Sequence, residues 1–423
     1  MSLHLEPADR ALLEGDSGPG TALAMRLVVR AADVLEAERL IPIRAAHVDS
    51  CLYHGQATLD FVDRLVAGGA AVRVPTTLNV GAVDLLHPEL WRGEPDLAER
   101  GRRLMERYRA LGCRPTYTCA PYQLAESRPG FGDQVAWGES NAIVFANSVL
   151  GARTNRYGDF LDIAAAVVGR VPDAGLHRTE ERRAQVVIRV GNDVPPAVLD
   201  DDGLYPVLGI VVGRIAGGRV AALDGLPPGV SEDRLKALGA AAASSGAVAL
   251  VHVICSTPEA PTLSAALQDA EPDEERTVDM ATLRAVRAEL GGHGEGRIVA
   301  VSLGTPHASA AELTRISGLL DGQHVAEGVE LLISTARDTL AQAEASGVAD
   351  RLRLAGAELL VDTCSYIAPI LRAPHGPVMT DSGKWAYYAP GNIGAEVVLG
   401  SQADCVASAV AGHVVRDATW GTA

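Results

Sequence analysis

The apolar residues of this chain follow two different spacings. Stretches such as TALAMRLVVRAADVL and TLDFVDRLVAGG repeat apolar residues every three or four positions, which predicts amphipathic helices. Between them lie short apolar runs that predict buried strands: LIPIRAAHV, QVVIRV, PVLGIVVGRI, AVALVHVIC, IVAVSLG, VELLISTA and AELLVDT. Because strands and helices alternate through most of the chain, we predict an α/β protein with parallel sheets.

Two of the predicted helices have a recognisable first turn. SEDRLKALGAAAASSG begins with a serine in the N-cap position and continues with two acidic residues. SAAELTRISGLL begins at Ser309 and has Glu312 at the capping-box position. Both starts therefore define where a helix follows a strand.

Charge and composition exclude several classes of partner. The net charge is -16 and no cluster of Lys and Arg occurs, which argues against a nucleic-acid partner. No apolar run approaches the roughly 20 residues of a membrane span, and the N-terminal residues lack the apolar segment of a secretion signal. We therefore predict a cytoplasmic protein without a membrane partner, whose six cysteines are not structural disulfides.

The cysteines separate into two groups by position. Cys119, Cys255 and Cys364 each follow a strand-like run and precede a turn that contains proline. Ligands bind at the carboxyl ends of parallel strands, so three thiols at such positions indicate a metal centre. The spacing contains no CxxC, however, and on spacing alone three packed core cysteines are the better interpretation. Cys113 and Cys405 are predicted to be core residues.

Several longer motifs change this balance. TCAPYQ, GESNAIVFANSVLGARTNRYGDFLDIAAAVVGRVPDAGLHRTEERRA, ICSTPEAP, LGTPHASAAEL, VDTC and TDSGKWAYYAPG together closely resemble the large subunit of the aconitase X family. The resemblance covers essentially the whole chain and implies an iron-sulfur hydro-lyase with Cys119, Cys255 and Cys364 as cluster ligands. The cluster type stays open among 2Fe-2S, 3Fe-4S and 4Fe-4S. An incomplete set of thiolates leaves an iron with open positions, which lets it act as a Lewis acid.

The family has two activities that differ in substrate. One is dehydration of cis-3-hydroxy-L-proline to 1-pyrroline-2-carboxylate, and the other is dehydration of 5-phosphomevalonate. The composition, rich in Arg, Ala and Gly, is typical of a GC-rich bacterium and favours the first, with 5-phosphomevalonate as the alternative. Two other classes remain open: a zinc or mononuclear-iron hydro-lyase that uses the same thiolates, and a non-catalytic scaffold subunit.

The resemblance also implies roles for residues that would otherwise be assigned to turns, core or surface. Lys384 is expected to bind the substrate carboxylate, and Glu139 and Ser140 to act in catalysis. A wider set is expected to line the substrate pocket: Asp49, Ser50, Cys51, His54, Thr76, Thr77, Asn79, Asn141, Arg153 and Ser382. His307 is a candidate for a proton network, and Thr305 before it departs from the small or thiol side chain of many relatives.

We predict three α/β lobes around a central cleft that contains the cluster. Lobe one comprises residues 1–190 and 371–423, because Lys384 must return to the cleft; lobe two comprises residues 191–295 and lobe three 296–370. The family also requires a small swivelling domain. Since the large-subunit motifs occupy all 423 residues, we expect it to be a separate small subunit.

Overall fold

The structure is a computed structural model that describes residues 3–292 and 294–421. The chain divides into two compact units. Unit 1 comprises Met1–Val83 and Glu94–Arg183, and unit 2 comprises Asp84–Gly93 and Ala184–Ala423.

Unit 1 is built on a small parallel sheet. Its elements are α1 (Pro7–Glu14), α2 (Pro19–Val34), β1 (Leu40–Pro42), β2 (Ala45–Val48), α3 (Gln56–Ala67), β3 (Thr76–Leu78), α4 (Pro95–Ala110), β4 (Val135–Trp137), α5 (Ser140–Ser148), α6 (Leu161–Val168) and β5 (Arg170–Pro172). β2 lies between β3 and β4 and pairs with both in parallel, with His47 opposite Thr77 and Trp137. β1 and β5 form a separate antiparallel pair. The small side chains of α6 let it pack closely against α2 and β2.

Unit 2 contains two larger parallel sheets. The first has the strand order β8-β7-β6-β9 and the second β12-β11-β10-β13-β14. The elements of the first region are β6 (Val186–Val190), α7 (Pro196–Leu199), α8 (Leu204–Ala216), β7 (Ala221–Asp224), α9 (Glu232–Ser245), β8 (Val251–Val253), α10 (Leu263–Leu267), β9 (Glu274–Val278) and α11 (Met280–Arg287). Those of the second are β10 (Ala300–Ala308), α12 (Ala310–Leu320), β11 (Glu330–Thr335), α13 (Arg337–Ala345), α14 (Val348–Leu354), β12 (Ala357–Leu360), β13 (Pro377–Thr380), α15 (Gly383–Ile393), β14 (Glu396–Leu399) and α16 (Gln402–Ala411).

The prediction of an α/β protein with parallel sheets is confirmed, as are both helix starts. Ser231 caps α9 by accepting a hydrogen bond from the Arg234 backbone, and Ser309 forms a capping box with Glu312. One strand prediction is wrong, because PVLGIVVGRI lies within helix α8. This run is buried on nearly all sides, so no polar face marks its helical period.

The structure differs from the expected lobe boundaries in two places. Residues 371–423 lie in unit 2, because β13 and β14 extend the five-stranded sheet; Met379 lies opposite Val301 on one side and Val398 on the other. β6 likewise begins the first sheet of unit 2, so this region starts near residue 184 and not after 190. Residues 371–423 were assigned to lobe one because Lys384 must reach the cleft. The pairing of β13 and β14 determines instead that these residues fold with unit 2.

The helices of the described chain are short. α2 and α4 have 16 residues each. Within the part of the chain that the structure describes, no helix is both long and apolar enough to cross a membrane.

Candidate functional site

Three chain segments of unit 2 meet where strands of the five-stranded sheet end. They are the end of β10 at residues 305–307, the loop after β12 at residues 362–365, and the turn from β13 into α15 at residues 381–385. All three strands run in the same direction, so these segments share the carboxyl edge of the sheet. In parallel α/β sheets this edge is the usual location of a ligand.

Cys364 and His307 lie close together at this edge. Both side chains are buried, and a ring nitrogen of His307 lies within 4.8 Å of the Cys364 sulfur. His307 Nε2 is 3.2 Å from the carbonyl oxygen of Thr363. That oxygen can only accept, so this contact suits the tautomer of a neutral ring in which Nε2 carries the hydrogen. A thiolate with an imidazole suits iron, zinc or an iron-sulfur cluster, so this part of the site fits the implied cofactor.

Charged residues hold the Cys364 loop in place. Arg337 donates two hydrogen bonds of 2.6 and 2.5 Å to the buried Asp362 carboxylate, which also accepts from the Leu85 backbone at 3.1 Å. Asp84 accepts a hydrogen bond of 2.9 Å from the Val361 backbone. The loop is therefore fixed before any ligand binds. Sequence reasoning missed Asp84 and Arg337, since neither lies near the cysteine in the chain.

Lys384 lies in the first turn of α15 and is only 5% exposed. Ser382 caps this helix by accepting from the Trp385 backbone at 3.1 Å, and its hydroxyl donates to the carbonyl oxygen of Thr305. Trp385 Nε1 donates to Ser365 Oγ at 3.0 Å. These bonds link the lysine segment to both other segments of the edge, and they give Ser382 a structural role beside its predicted one.

The other two candidate ligands have different surroundings. Cys255 is exposed, adopts a positive φ of 59°, and has its sulfur 3.5 Å from the Pro261 oxygen. Among the described residues, it does not lie within 4.8 Å of both His307 and Cys364. Cys119 lies in unit 1, where it is buried and its carbonyl accepts from Asn141 Nδ2 at 2.6 Å. The ligand roles of Cys119 and Cys255 remain predictions.

An acidic group occupies the carboxyl edge of the small sheet in unit 1. Asp49 follows β2, and Glu139 follows the neighbouring β4 and caps α5 through the Ala142 backbone at 2.8 Å. Burial raises the pKa of Asp49 to about 7, with a further contribution from the charge of Glu139. Asn79 donates to Asp49, and Asn141 donates to Glu139 at 2.6 Å. The structure thus brings Glu139, which was predicted to act in catalysis, together with three residues that were predicted to line the substrate pocket.

Asp162 holds the segment that carries Asp49 in place through hydrogen bonds. Sequence reasoning missed this residue. Its carboxylate accepts hydrogen bonds from the backbones of Asp49 and Ser50 at 2.7 and 3.1 Å, and from Ser50 Oγ at 2.9 Å. Burial raises the pKa of Asp162 to about 6. A Cβ on Gly138 would lie 2.8 Å from this carboxylate, so the glycine provides the necessary space. An aspartate in the first turn of an otherwise apolar helix was the available signal.

The remaining candidates have local partners. Thr76 donates to the Val74 carbonyl at 2.8 Å, and Thr77 lies 2.8 Å from Nδ1 of the buried His47. Arg153 donates to the His177 carbonyl at 3.0 Å and to Thr179 at 2.8 Å. These bonds favour structural roles, although substrate binding by these three residues stays a prediction. His54 is exposed, and Ser140 Oγ donates to Glu139 at 3.2 Å.

Three further thiols are buried in the two units. Cys113 and Cys405 are 4% and 0% exposed, which confirms the prediction that they are core residues. Cys51 is also 0% exposed, and its sulfur lies 3.2 Å from the Asn79 carbonyl. Burial raises the pKa of Cys51 well above its ordinary value, so this thiol stays protonated at neutral pH. A protonated, buried thiol is not a metal ligand, which agrees with the prediction that Cys51 lines the pocket and that the cluster ligands are three other cysteines.

Asp49 gives a prediction for stability against pH. In the folded chain its pKa is about 7, well above the ordinary value of 3.8, so ionisation opposes folding increasingly as the pH rises from about 4 to 7. Asp49→Asn removes this penalty. We expect its free energy of unfolding to exceed that of the wild type by about 1–3 kcal/mol at pH 8, and by clearly less at pH 5.

Urea unfolding at pH 5, 6, 7 and 8 measures this difference. The exposed Asp60 provides the control, because Asp60→Asn should leave the unfolding free energy nearly unchanged at every pH. A constant difference between Asp49→Asn and the wild type across the series would contradict the raised pKa.

Family models match nearly the whole chain. Residues 2–180 match the aconitase X first domain, residues 184–288 the second domain, and residues 298–411 the third domain. The second match begins where β6 begins the first sheet of unit 2, and the third extends beyond β14.

Individual relatives agree with these matches. The chain is 44% identical over 416 residues to a cis-3-hydroxy-L-proline dehydratase of Pseudomonas aeruginosa, covering 97% of this chain and 70% of that protein. It is 35% identical over 412 residues to a phosphomevalonate dehydratase large subunit of Methanosarcina mazei, covering 97% of this chain and 98% of that protein. The solved structure of Thermococcus kodakaraensis aconitase X in its holo form superposes with a TM-score of 0.85 at 34% identity, covering 96% of this chain and all of that one. The chain therefore belongs to the aconitase X family.

Proposed function

We propose that this chain is the catalytic component of a dehydratase that converts cis-3-hydroxy-L-proline to 1-pyrroline-2-carboxylate. Relatives in the family are named as dehydratases, and the cis-3-hydroxy-L-proline dehydratases of Pseudomonas aeruginosa and Hypocrea jecorina are 44% and 40% identical to the chain. Both names support a hydro-lyase reaction on a hydroxylated imino acid.

The acidic group around Asp49 is the observation that carries the choice of substrate. Asp49, Glu139 and Asp162 concentrate carboxyl groups on one sheet edge, where burial and then the charges of the neighbouring acids raise the pKa of Asp49. A buried carboxylate is stabilised by a cation. The ammonium group of hydroxyproline supplies that cation, whereas 5-phosphomevalonate brings only negative charge. The electrostatics of unit 1 therefore favour the imino acid.

Lys384 supplies the opposite charge. It is buried in the first turn of α15, where its ammonium can bind a substrate carboxylate and hold negative charge that develops next to it. Removal of the proton from the carbon beside the carboxylate places charge on that group. Lys384 thus stabilises the transition state, while Glu139 and Ser140 are assigned to the substrate amine or hydroxyl.

The cofactor is assigned to thiolates of this chain. Cys119, Cys255 and Cys364 would hold an iron-sulfur cluster, with His307 beside Cys364 as an additional donor. A cluster with an incompletely ligated iron supplies a Lewis acid for the departing hydroxide.

A small swivelling-domain subunit is the proposed partner. The chain matches 98% of a relative whose name is that of a large subunit, and such a name implies a small one. The resemblance to the aconitase X family also implies that this domain brings a serine to the active site. We therefore assign this serine, and with it part of the catalytic machinery, to the small subunit.

An anaerobic assay tests the proposal. The chain, co-purified with its small subunit, is offered cis-3-hydroxy-L-proline and 5-phosphomevalonate in parallel, and product formation is followed for each. We expect turnover of the imino acid alone. Turnover of the phosphorylated substrate alone would overturn the assignment, and iron without acid-labile sulfide, or zinc, would overturn the cluster.

A further inference from the structure

Two neighbouring cavities of unit 2 reach the segment that carries Lys384. The smaller cavity, of about 30 Å³, is lined by Thr305, Lys236 and Ser382 among others. The larger cavity, of about 170 Å³, is lined by Asp233, Arg234 and Arg315 among others. Glu312, Asp381 and Gln402 line both, so they form the boundary between the two.

Two buried polar atoms at these cavities lack a protein partner. Thr305 Oγ1 and Gln402 Oε1 belong to side chains that are 6% exposed, and neither atom has a hydrogen bond to any described residue. Buried polar atoms of this kind are normally satisfied by ordered water. The smaller cavity has room for one or two water molecules, and its lining offers the polar contacts that hold them.

Asp381 lies between the two cavities and immediately before the cap of α15. Burial and the charge of Glu312 raise its pKa to about 7, while Lys236 and a hydrogen bond from Gln402 act in the opposite direction. The charged or titratable groups around it come from the segments that precede α8 and from α9, α12 and α16: Asp202, Asp233, Arg234, Lys236, Glu312, Arg315 and Cys405.

The ion pairs of this region account for most of these charges. Lys236 bonds to Glu312 and lies 3.2 Å from Asp233, and Asp202 pairs with Arg234 at 2.7 Å and with Arg315. Asp381 has no salt bridge of its own to a described residue. It is therefore the acid of this group that can change protonation without breaking an ion pair.

We propose that a chain of water molecules fills the two cavities. Asp381 exchanges protons with these water molecules and thereby connects solvent with the Ser382–Lys384 segment. Asp381 acts through water and is a positioning and relay residue, not one that touches substrate. The inference rests on the proposed function, because only a reaction that moves protons and forms water uses such a path.

The chemistry of the relay balances. Dehydration breaks a C–H and a C–O bond: the base takes the substrate proton, the departing hydroxide takes a proton from solvent water and leaves as water, and the relay returns the substrate proton to solvent, so that no net proton is taken up. When the base has accepted the substrate proton, that proton must leave the site before the next turnover. The Asp381 carboxyl gives its proton to water on one side and takes another from water on the other side. The water formed by the reaction also gains an exit.

Asp381→Asn tests this role, because the amide keeps the size and hydrogen bonds of the carboxyl but cannot exchange a proton. We expect kcat to fall about 10-fold, KM to stay within about twofold, and the limb of the kcat profile near pH 7 to disappear. Asp381→Glu should restore that limb. Asp321→Asn, at an exposed position after α12, is the matched control and should leave both parameters unchanged.

Infrared difference spectra give a readout that does not depend on turnover. In the wild type, the protonated carboxyl bands of Asp49 and Asp381 should both decline as the pH rises through 7, and in Asp381→Asn only the part that belongs to Asp49 should remain. An unchanged kcat profile in Asp381→Asn, with an active wild type, would overturn the relay. A wild type that dehydrates neither substrate would contradict the proposed function instead.

Discussion

Replacement of Cys364 by serine is expected to abolish dehydratase activity and cluster binding together. The Cys364 sulfur lies at the carboxyl edge of the five-stranded sheet beside His307, in a loop that Asp362 and Arg337 hold in place. Serine retains the size of the side chain but not a ligand suited to iron-sulfur chemistry. We expect kcat to fall by at least about 1,000-fold, and iron and acid-labile sulfide to fall in proportion.

The measurement is anaerobic activity with iron and sulfide analysis of the same sample. Cys405→Ala is the matched control: this thiol is fully buried in the core of the same unit, and its loss should cost some stability but neither iron nor activity. Full iron content in Cys364→Ser would contradict the ligand assignment. A thermal transition like that of the cluster-free wild type shows that the variant folds.

Loss of the Lys384 charge should have the second-largest effect. Lys384→Met keeps a long apolar stem in a side chain that is 5% exposed, and it removes the ammonium. Truncation of one member of a buried charge pair typically costs 2–5 kcal/mol. We expect kcat/KM for cis-3-hydroxy-L-proline to fall about 100- to 1,000-fold, because a carboxylate and its developing charge lose their partner.

Steady-state kinetics on the cluster-loaded enzyme measure this loss. Tyr387 lies on the same helix but is 44% exposed, so Tyr387→Ala should change kcat/KM little and serves as the control. A substrate analogue without the carboxylate distinguishes a binding defect from a folding defect. The wild type and Lys384→Met should have the same kcat/KM for this analogue. Equal kcat/KM for the natural substrate would refute the role of Lys384.

The sequence was sufficient for features that depend on local pattern. The period of apolar residues predicts the parallel sheets, and the serine caps of α9 and α12 follow from short-range hydrogen bonds. Helix α8 was misread because a segment buried on all sides shows no period. Residues 371–423 were misplaced because strand pairing between β10 and β13 is a long-range contact that local pattern does not encode.

The residues of the candidate site also fall into those that sequence motifs locate and those that only the fold brings near. Motifs locate Cys364 and Lys384, but not the groups that hold them. Arg337 and Asp84 reach the Cys364 loop from 25 or more positions away along the chain, and Asp162 supports Asp49 from 113 residues away. His307 was considered only as part of a proton network, whereas its proximity to the Cys364 sulfur makes it a candidate donor.

The short segment Asp84–Gly93 has a consequence for synthesis of the protein. It is made early and lies between two parts of unit 1, yet it belongs to unit 2, where Asp84 bonds to Val361 across 277 positions. At a translation rate of about 5–20 residues per second, Val361 is synthesised on the order of 10–60 seconds after Asp84. The Cys364 loop therefore takes its final form only when the five-stranded sheet has emerged from the ribosome, so binding of the proposed cofactor would be a late event that cannot precede completion of most of the chain.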